Sequence, residues 1–350
     1  MFICFAILLF LLSVTLVKLF QRLAAKKGWL DVPNTRSSHE TETVRGGGDG
    51  FMGLWLMVVT LAWQQNTISA AIWRLLCLVP LIIGAMGFWD DLRSLPAVRR
   101  LMVQVGVSTL IVTEIALQGL IPLWPIWLGA EVGAGIFLGV TIIWFINLFN
   151  FMDGLDGFAG SEAVVVLGFG GYFLWASGSV ELACLAWLLA CSVLGFLVWN
   201  WPKASIFMGD VGSMTLGAIL VLFAILGQAT APKSLMIWGI LTAVFWFDAT
   251  ITLLRRFFGG QVWMAAHKQH AYQRLHQAGW KTSHVVIGSI CLNLVLGGVA
   301  LCVYYHRLSA SLGLVLTISG LSCVYGWIER QKLATTEKIL SPAMGSIGGI

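Results

Sequence analysis

The chain has 350 residues, of which 58% are hydrophobic and only 11% charged, against about 25% charged in an average soluble domain. A mean hydropathy of +0.87 leaves too little polar surface to cover a water-soluble body. The formal net charge of +5 is modest, and nucleic acid is not expected as a partner.

In chain order, apolar runs near the ~20-residue length that crosses a bilayer predict eleven spans. They fall at residues 2–20, 49–64, 71–88, 99–117, 133–151, 158–177, 183–200, 212–230, 234–254, 285–305 and 311–328. The fold class expected is all-α, a polytopic membrane helical bundle of 10–11 helices. The first run lacks a basic n-region and a small-residue cleavage site, so it reads as a retained span rather than a signal peptide. Seventeen Trp suit the interfacial belts of a membrane protein. The seven cysteines all lie in apolar runs without a C-x-x-C pair and read as small buried hydrophobes. Residues 1–330 form one transmembrane domain, and 331–350 a C-terminal tail that ends Gly-rich and loose.

Basic residues set the sidedness. If the 21–48 loop is cytoplasmic, alternate connections follow it to that side, and of the 21 Lys and Arg only Arg74, Lys233 and Arg307 fall opposite. The positive-inside rule selects this orientation. Every Asp in the chain lies at the same face or just beneath it: Asp31, Asp49, Asp90, Asp91, Asp153, Asp156, Asp210 and Asp248. Topology does not require that clustering, so it points to a site.

Four groups carry chemistry. Asp90 and Asp91 adjoin at the end of the third span. Neighbouring carboxylates at a membrane boundary need a cation, donors or full solvation, so they read either as a solvated turn or as a metal- or substrate-binding pair. Asn147, Asn150, Asp153 and Asp156 recur every three residues, which places them on one face of a helix. They are interhelical glue or the wall of a polar cavity, with Gly154 and Gly157 breaking the helix. Asp210, in the run Met208-Gly209-Asp210-Val211-Gly212-Ser213, precedes the eighth span. It reads as an N-cap or as part of an anion-receptive helix start. The last loop holds Arg255, Arg256, His267, Lys268, His270 and Arg274, and the first holds Arg36, His39 and Arg45 before three glycines. These basic groups suit a phosphorylated ligand, although a positive-inside loop alone would also be basic. Carboxylates with few His and no Cys favour Mg²⁺, with Mn²⁺ as its substitute, over zinc. Metal, basic groups and an anion-ready backbone are what phosphoryl transfer needs.

At these residues the sequence resembles the polyprenyl-phosphate N-acetylhexosamine-1-phosphate transferases. The resemblance rests on Asp90-Asp91, Asn147-x-x-Asn150-x-x-Asp153-Gly154-x-Asp156-Gly157, Phe207-Met208-Gly209-Asp210-x-Gly212-Ser213 and the His-bearing loop at 267–274, in that order over about residues 20–330. It implies catalysis by Asp90 and Asp91 with Asp153 and Asp156. It further implies Mg²⁺ held by Asp210 with Asp153 and Asp91, a nucleotide region lined by Asn147 and Asn150, and a diphosphate met by His270. The loop reads His270-Ala271-Tyr272-Gln273, without the consecutive histidines of the peptidoglycan translocases, and is similar to the O-antigen-initiating subgroup. The resemblance implies a UDP-N-acetyl amino sugar as donor and undecaprenyl phosphate as acceptor. It also implies a site facing the cytoplasm of a bacterial inner membrane, with membrane lipid around the bundle and a homodimer admitted. A cation-coupled transporter is the rival from another class, but its ion path would need polar groups at mid-membrane, and Glu114 and Glu181 are poor candidates.

Overall fold

The computed structural model describes residues 2–32, 42–119, 130–231, 233–261 and 267–345. Among them, nine helices are long and apolar enough to cross a membrane, and a bent pair makes a tenth. In chain order the helices are α1 (Phe2–Lys26), α2 (Gly47–Gln64), α3 (Ala70–Trp73), α4 (Val79–Arg93), α5 (Ala97–Leu117), α6 (Ala130–Phe151), α7 (Phe158–Ala176), α8 (Val180–Asn200), α9 (Gly209–Gly227), α10 (Ser234–Leu241), α11 (Ala243–Phe258), α12 (Ala271–Gln277), α13 (Thr282–Tyr304) and α14 (Ala310–Gly345). The π-helical turn Arg74–Leu78 joins α3 to α4 in one continuous rod. The protein is therefore a multi-pass helical membrane protein, and each of the eleven expected spans coincides with a helix. The second, α2, is not among those ten, because its 18 residues open on Gly47, Gly48 and Asp49. The ninth is α10 and α11, bent by 74°.

Helix α9 is the axis of the bundle, buried along nearly its whole length, with α4, α6 and α2 packed on it. Lipid tails are as apolar as the side chains, so helices associate in a membrane through close packing, which favours small residues at crossings. Gly48 of α2 lies against Gly212 of α9 so closely that a Cβ on either would run into the other's backbone. Gly87 of α4 lies against the backbone of Asp210 and Val211. Helices α1 and α5 instead expose apolar faces, including Ile3, Leu8, Leu101 and Met102.

The cysteines depart from expectation. Cys77 is buried, but Cys4, Cys291, Cys302 and Cys323 are exposed. Apolar runs in a membrane bundle place thiols as readily on the lipid-facing surface as inside. Helix α14 continues to Gly345, so the stretch read as a tail from 331 is helical over most of its length.

The sheet is minimal. β1 (Leu30–Asp31) pairs antiparallel with β2 (Thr43–Arg45), and β2 pairs parallel with β3 (Ile206–Phe207). Its register sets Arg45 opposite Phe207, three residues before Asp210. The first loop is thereby stitched to the start of α9.

Replacing Gly48 with Val should lower stability by about 1–3 kcal/mol, the usual cost of overpacking. The midpoint of thermal unfolding in detergent checks it.

Candidate active site

Neighbouring Asp90 and Asp91 close α4 and point to different partners. Asp90 is buried, at 7% exposure. Its carboxylate accepts from the Leu95 N–H at 2.5 Å and from Arg100 Nη1 at 3.0 Å. Ser94, left-handed at φ 45°, donates its N–H to the Asp90 carbonyl at 2.8 Å. Asp90 therefore fastens the α4–α5 turn. Asp91 turns inward, and both its oxygens accept from the Asp210 N–H, at 3.1 and 3.0 Å. This is the first turn of α9, where unpaired N–H groups and the helix dipole favour an anion. The anion that α9 receives is thus a side chain of the protein. Asp210 is not the N-cap, a place taken by Met208. Gly209 at φ +76° makes the approach, since a Cβ there would strike Asp91.

Arg45 completes the group. Its Nε is 3.3 Å from Asp91 and 4.0 Å from Asp31. Burial works against its charge, but Asp91, Asp210, Asp31 and Asp153 outweigh that and raise its pKa above the usual value. A cleft of about 220 Å³ opens beside it, with Asp31, Asp49 and Asp91 among its walls and Trp29 and Phe88 across from them.

The Asn–Asp series does not stay on one face, because α6 ends at Phe151. Asn147 makes a reciprocal amide pair with Gln104 of α5, at 2.7 and 3.3 Å, so both ends of its amide are used between helices. Asn150 reaches α9, donating to Asp210 at 2.9 Å and Ser213 at 3.0 Å. Asp153 stands in the turn after α6, within electrostatic reach of Arg45, Asp210, Asp91 and Asp156. Burial, with the neighbouring carboxylates adding to it, pushes its pKa well above the carboxylate range, and Arg45 only partly opposes this. Asp156 accepts from the Ala204 N–H at 2.9 Å and ties this turn to the one after α8.

The last loop docks from the other side. His270, buried at the start of α12, stands with its Nδ1 3.6 Å from Asp248 of α11. Asp248 also accepts from the N–H groups of Ala271 and Tyr272, at 2.9 and 3.4 Å. The Tyr272 hydroxyl donates to the Phe151 carbonyl at 3.0 Å, and its ring stacks on Phe158 at 4.5 Å. Gly154 permits this, since a Cβ there would meet that hydroxyl. His267 is half-buried, its ring 4.9 Å from that of His270. Arg255 pairs with Glu329 at 2.5 Å. Arg256 is buried near the end of α11, and the Lys268 carbonyl accepts from Gln277 at 2.8 Å. Arg36 and His39 lie outside the described residues.

Asp91, Asp153, Asp210, Asn150 and Arg45 thus come together, with Asp90 beside Asp210, whereas Asn147 and Asp156 bind the walls. Asp90 is tied to Arg100 and the Leu95 N–H, and its side chain also lies within hydrogen-bond reach of Asp210; the sequence shows two adjacent carboxylates but not which partners each takes. Sequence reasoning passed over Gln104 and gave Tyr272 no role of its own, while Arg100 pairs with Asp90 as its nearness in sequence suggests. Tyr272 carries a sequence signal, an aromatic next to the loop histidine. Gln104 carries another, an amide within an apolar run.

Among the described residues no three of Asp, Glu, His or Cys stand close enough to enclose a metal ion. Mg²⁺ needs less, since it is commonly bound through one or two carboxylates with substrate phosphates and water. Asp91 and Asp210, joined through one N–H, offer hard oxygen donors of that kind, with Asp153 beside them.

The profile of glycosyl transferase family 4 matches residues 73–228. A probable undecaprenyl-phosphate N-acetylglucosaminyl 1-phosphate transferase of Bacillus subtilis is 30% identical, over 78% of this chain and 77% of the relative. The undecaprenyl-phosphate alpha-N-acetylglucosaminyl 1-phosphate transferase of Escherichia coli K12 is 27% identical over 79% of this chain and 77% of its own. A phospho-N-acetylmuramoyl-pentapeptide-transferase of Lactiplantibacillus plantarum is 28% identical over 82% of this chain and 92% of its own. The chain belongs to glycosyl transferase family 4, and it is an enzyme of the phospho-sugar transferase kind.

Burial, His270 and Arg256 lower the pKa of His267 to about 4, against the pull of Asp248. The unfolded chain, with His near 6.5, then binds the extra proton first, so stability falls as pH drops from about 6.5 towards 4. His267→Gln should flatten that decline, as read from unfolding midpoints of both proteins across this range.

Proposed function

We propose that this enzyme transfers an N-acetylated amino-sugar-1-phosphate from a UDP-sugar to undecaprenyl phosphate, releasing UMP. The reaction would take place at the cytoplasmic face of a bacterial inner membrane and start a lipid-linked O-antigen or related envelope polysaccharide. The observation that carries this reading is the meeting of Asp91, Asp210, Asp153 and Arg45 at the start of α9. Tyr272, whose hydroxyl donates to the Phe151 carbonyl two residues before Asp153, also lines an apolar cleft of about 320 Å³ between α11, α13 and α14. Acidic and cationic groups suit a diphosphate, and the apolar cleft suits a prenyl chain.

In this reaction an oxygen of the acceptor phosphate attacks the phosphorus that carries the sugar. The bond from that phosphorus to the bridging oxygen breaks, and UMP leaves with the oxygen. A phosphate monoester, with its second pKa near 6, is largely ionised at neutral pH, so little proton abstraction is needed. The task is to neutralise and align three anions. Bound Mg²⁺, or Mn²⁺ in its place, supplies charge neutralisation on the diphosphate, and Asp210 and Asp91 would hold it with help from Asp153. Asn150 fixes the Asp210 carboxylate by its 2.9 Å hydrogen bond. Arg45 offers a fork to phosphate oxygens. His267, neutral at pH 7 given its lowered pKa, donates a hydrogen bond rather than a charge, and His270 on its Asp248 anchor faces the same loop. Asp90 fastens the α4–α5 turn through Arg100 and the Leu95 N–H and stands against Asp210, from where it would contact the attacking phosphate.

Detergent-purified protein with undecaprenyl phosphate, Mg²⁺ and a panel of UDP-N-acetyl sugars should release UMP from one donor. Asp210→Ala should lower the rate at least about 100-fold, the scale of losing one electrostatic group at a reacting centre. Chelation of the divalent ion should stop turnover and readdition restore it. Lipid-independent release, or full activity in Asp210→Ala, would refute the assignment.

A further inference from the structure

Arg274 is among the most deeply buried side chains of the protein, at 1% exposure, although it sits on the short, loop-borne helix α12. It lies in the loop that carries His267 and His270. Burying a guanidinium is costly unless an anion faces it, and removing that anion leaves an uncompensated charge. Among the described residues, the carboxylate in contact with Arg274 is that of Glu329, on α14. The same Glu329 oxygen accepts from Arg255 Nη1 at 2.5 Å. Tyr325, one turn earlier on α14, lies under the guanidinium with its ring centre 4.6 Å away. The Arg274 Nε and Nη2 atoms have no hydrogen-bond partner among the described residues, so Glu329 is the acid that pairs with the guanidinium directly. Burial lowers the Arg274 pKa and Arg255 adds to the effect, with Tyr325 and Asp248 opposing it only in part.

We infer that Glu329 is a positioning residue for the phosphate-binding loop, joining the end of α11 and the helix α12 to the last membrane helix through one carboxylate shared between Arg255 and Arg274. The inference rests on the proposed reaction for its kinetic consequence but on packing alone for its structural one. Through Arg274, Glu329 sets where α12 lies. Helix α12 sets Tyr272, which touches the Phe151 carbonyl next to Asp153, and it sets His270 on Asp248. Through Arg255, Glu329 holds one loop cation in reserve, neutralised until a stronger anion takes it. A diphosphate is such an anion.

Without Glu329 the buried guanidinium must turn outward to find water, and α12 must move with it. Glu329→Ala should therefore raise the KM for the sugar nucleotide about tenfold, the effect of one lost charge-assisted contact, with kcat changed less than threefold. Glu329→Asp should recover most of that loss. Amide hydrogen exchange supplies a readout that needs no turnover: residues 271–277 should exchange faster in Glu329→Ala than in the parent and Glu329→Asp, while the amides of α9 remain unchanged. Unaltered exchange in α12 would overturn the inference, whatever the kinetics. Faster exchange throughout the bundle, or a loss confined to kcat, would also overturn it, since the residue would then be a general stabiliser or act in chemistry. If the parent protein releases no UMP from any donor while exchange in α12 responds as expected, the reaction assignment fails and the anchoring role stands.

Discussion

The rest of the site depends on the hydrogen bonds by which one N–H, that of Asp210, holds both oxygens of the Asp91 carboxylate. A carboxylate at the edge of hydrocarbon is unstable without donors or a cation, and a helix start is unstable without acceptors. Each need is met by the other. The contact requires α4 and α9 to approach until Gly87 touches the Asp210 backbone, and it requires Gly209 to be left-handed at φ +76°. Once these helices are fixed, Asn150 of α6 has its acceptor and Arg45 of β2 has its ion-pair partner. The site is thus built at the crossing of the bundle's central helix with its neighbours, not on a loop laid over them.

A second group of contacts, with different physics, faces this one. The His-bearing loop rests on buried charge: Asp248 beneath α12, and Glu329 beside Arg274. It meets the carboxylate side where the Tyr272 hydroxyl donates to the Phe151 carbonyl. The carboxylate side is held by helix packing over glycine, and the basic side by paired ions.

Most of the fold was legible in the sequence because a bilayer allows few solutions. Run length located the spans, and the helices follow. The site's membership was legible in part. Asp91, Asp153 and Asp210 were found through clustering and spacing. The direction of each side chain was not, because Asp90 and Asp91 are indistinguishable as letters and are separated only by the left-handed Ser94 and by Arg100. Asn147 looked like Asn150 until Gln104 of a neighbouring helix claimed it. The three-residue stripe was extrapolated past Phe151, where the helix stops. Glu329 could not be read at all, since its importance comes from two arginines distant in sequence.

The short parallel pairing of β2 with β3 carries a consequence for how such a chain can vary. Val44 faces Ile206 and Arg45 faces Phe207, and side chains alternate sides along a strand, so a slip by one residue would turn Arg45 away from Asp91. Insertions or deletions in the connection at residues 33–41 leave this register intact, since loop closure depends only weakly on length. The same change between residues 43 and 48 would displace the arginine and the glycine that touches α9 together. Length variation among related chains should therefore concentrate before residue 42 and stop abruptly there.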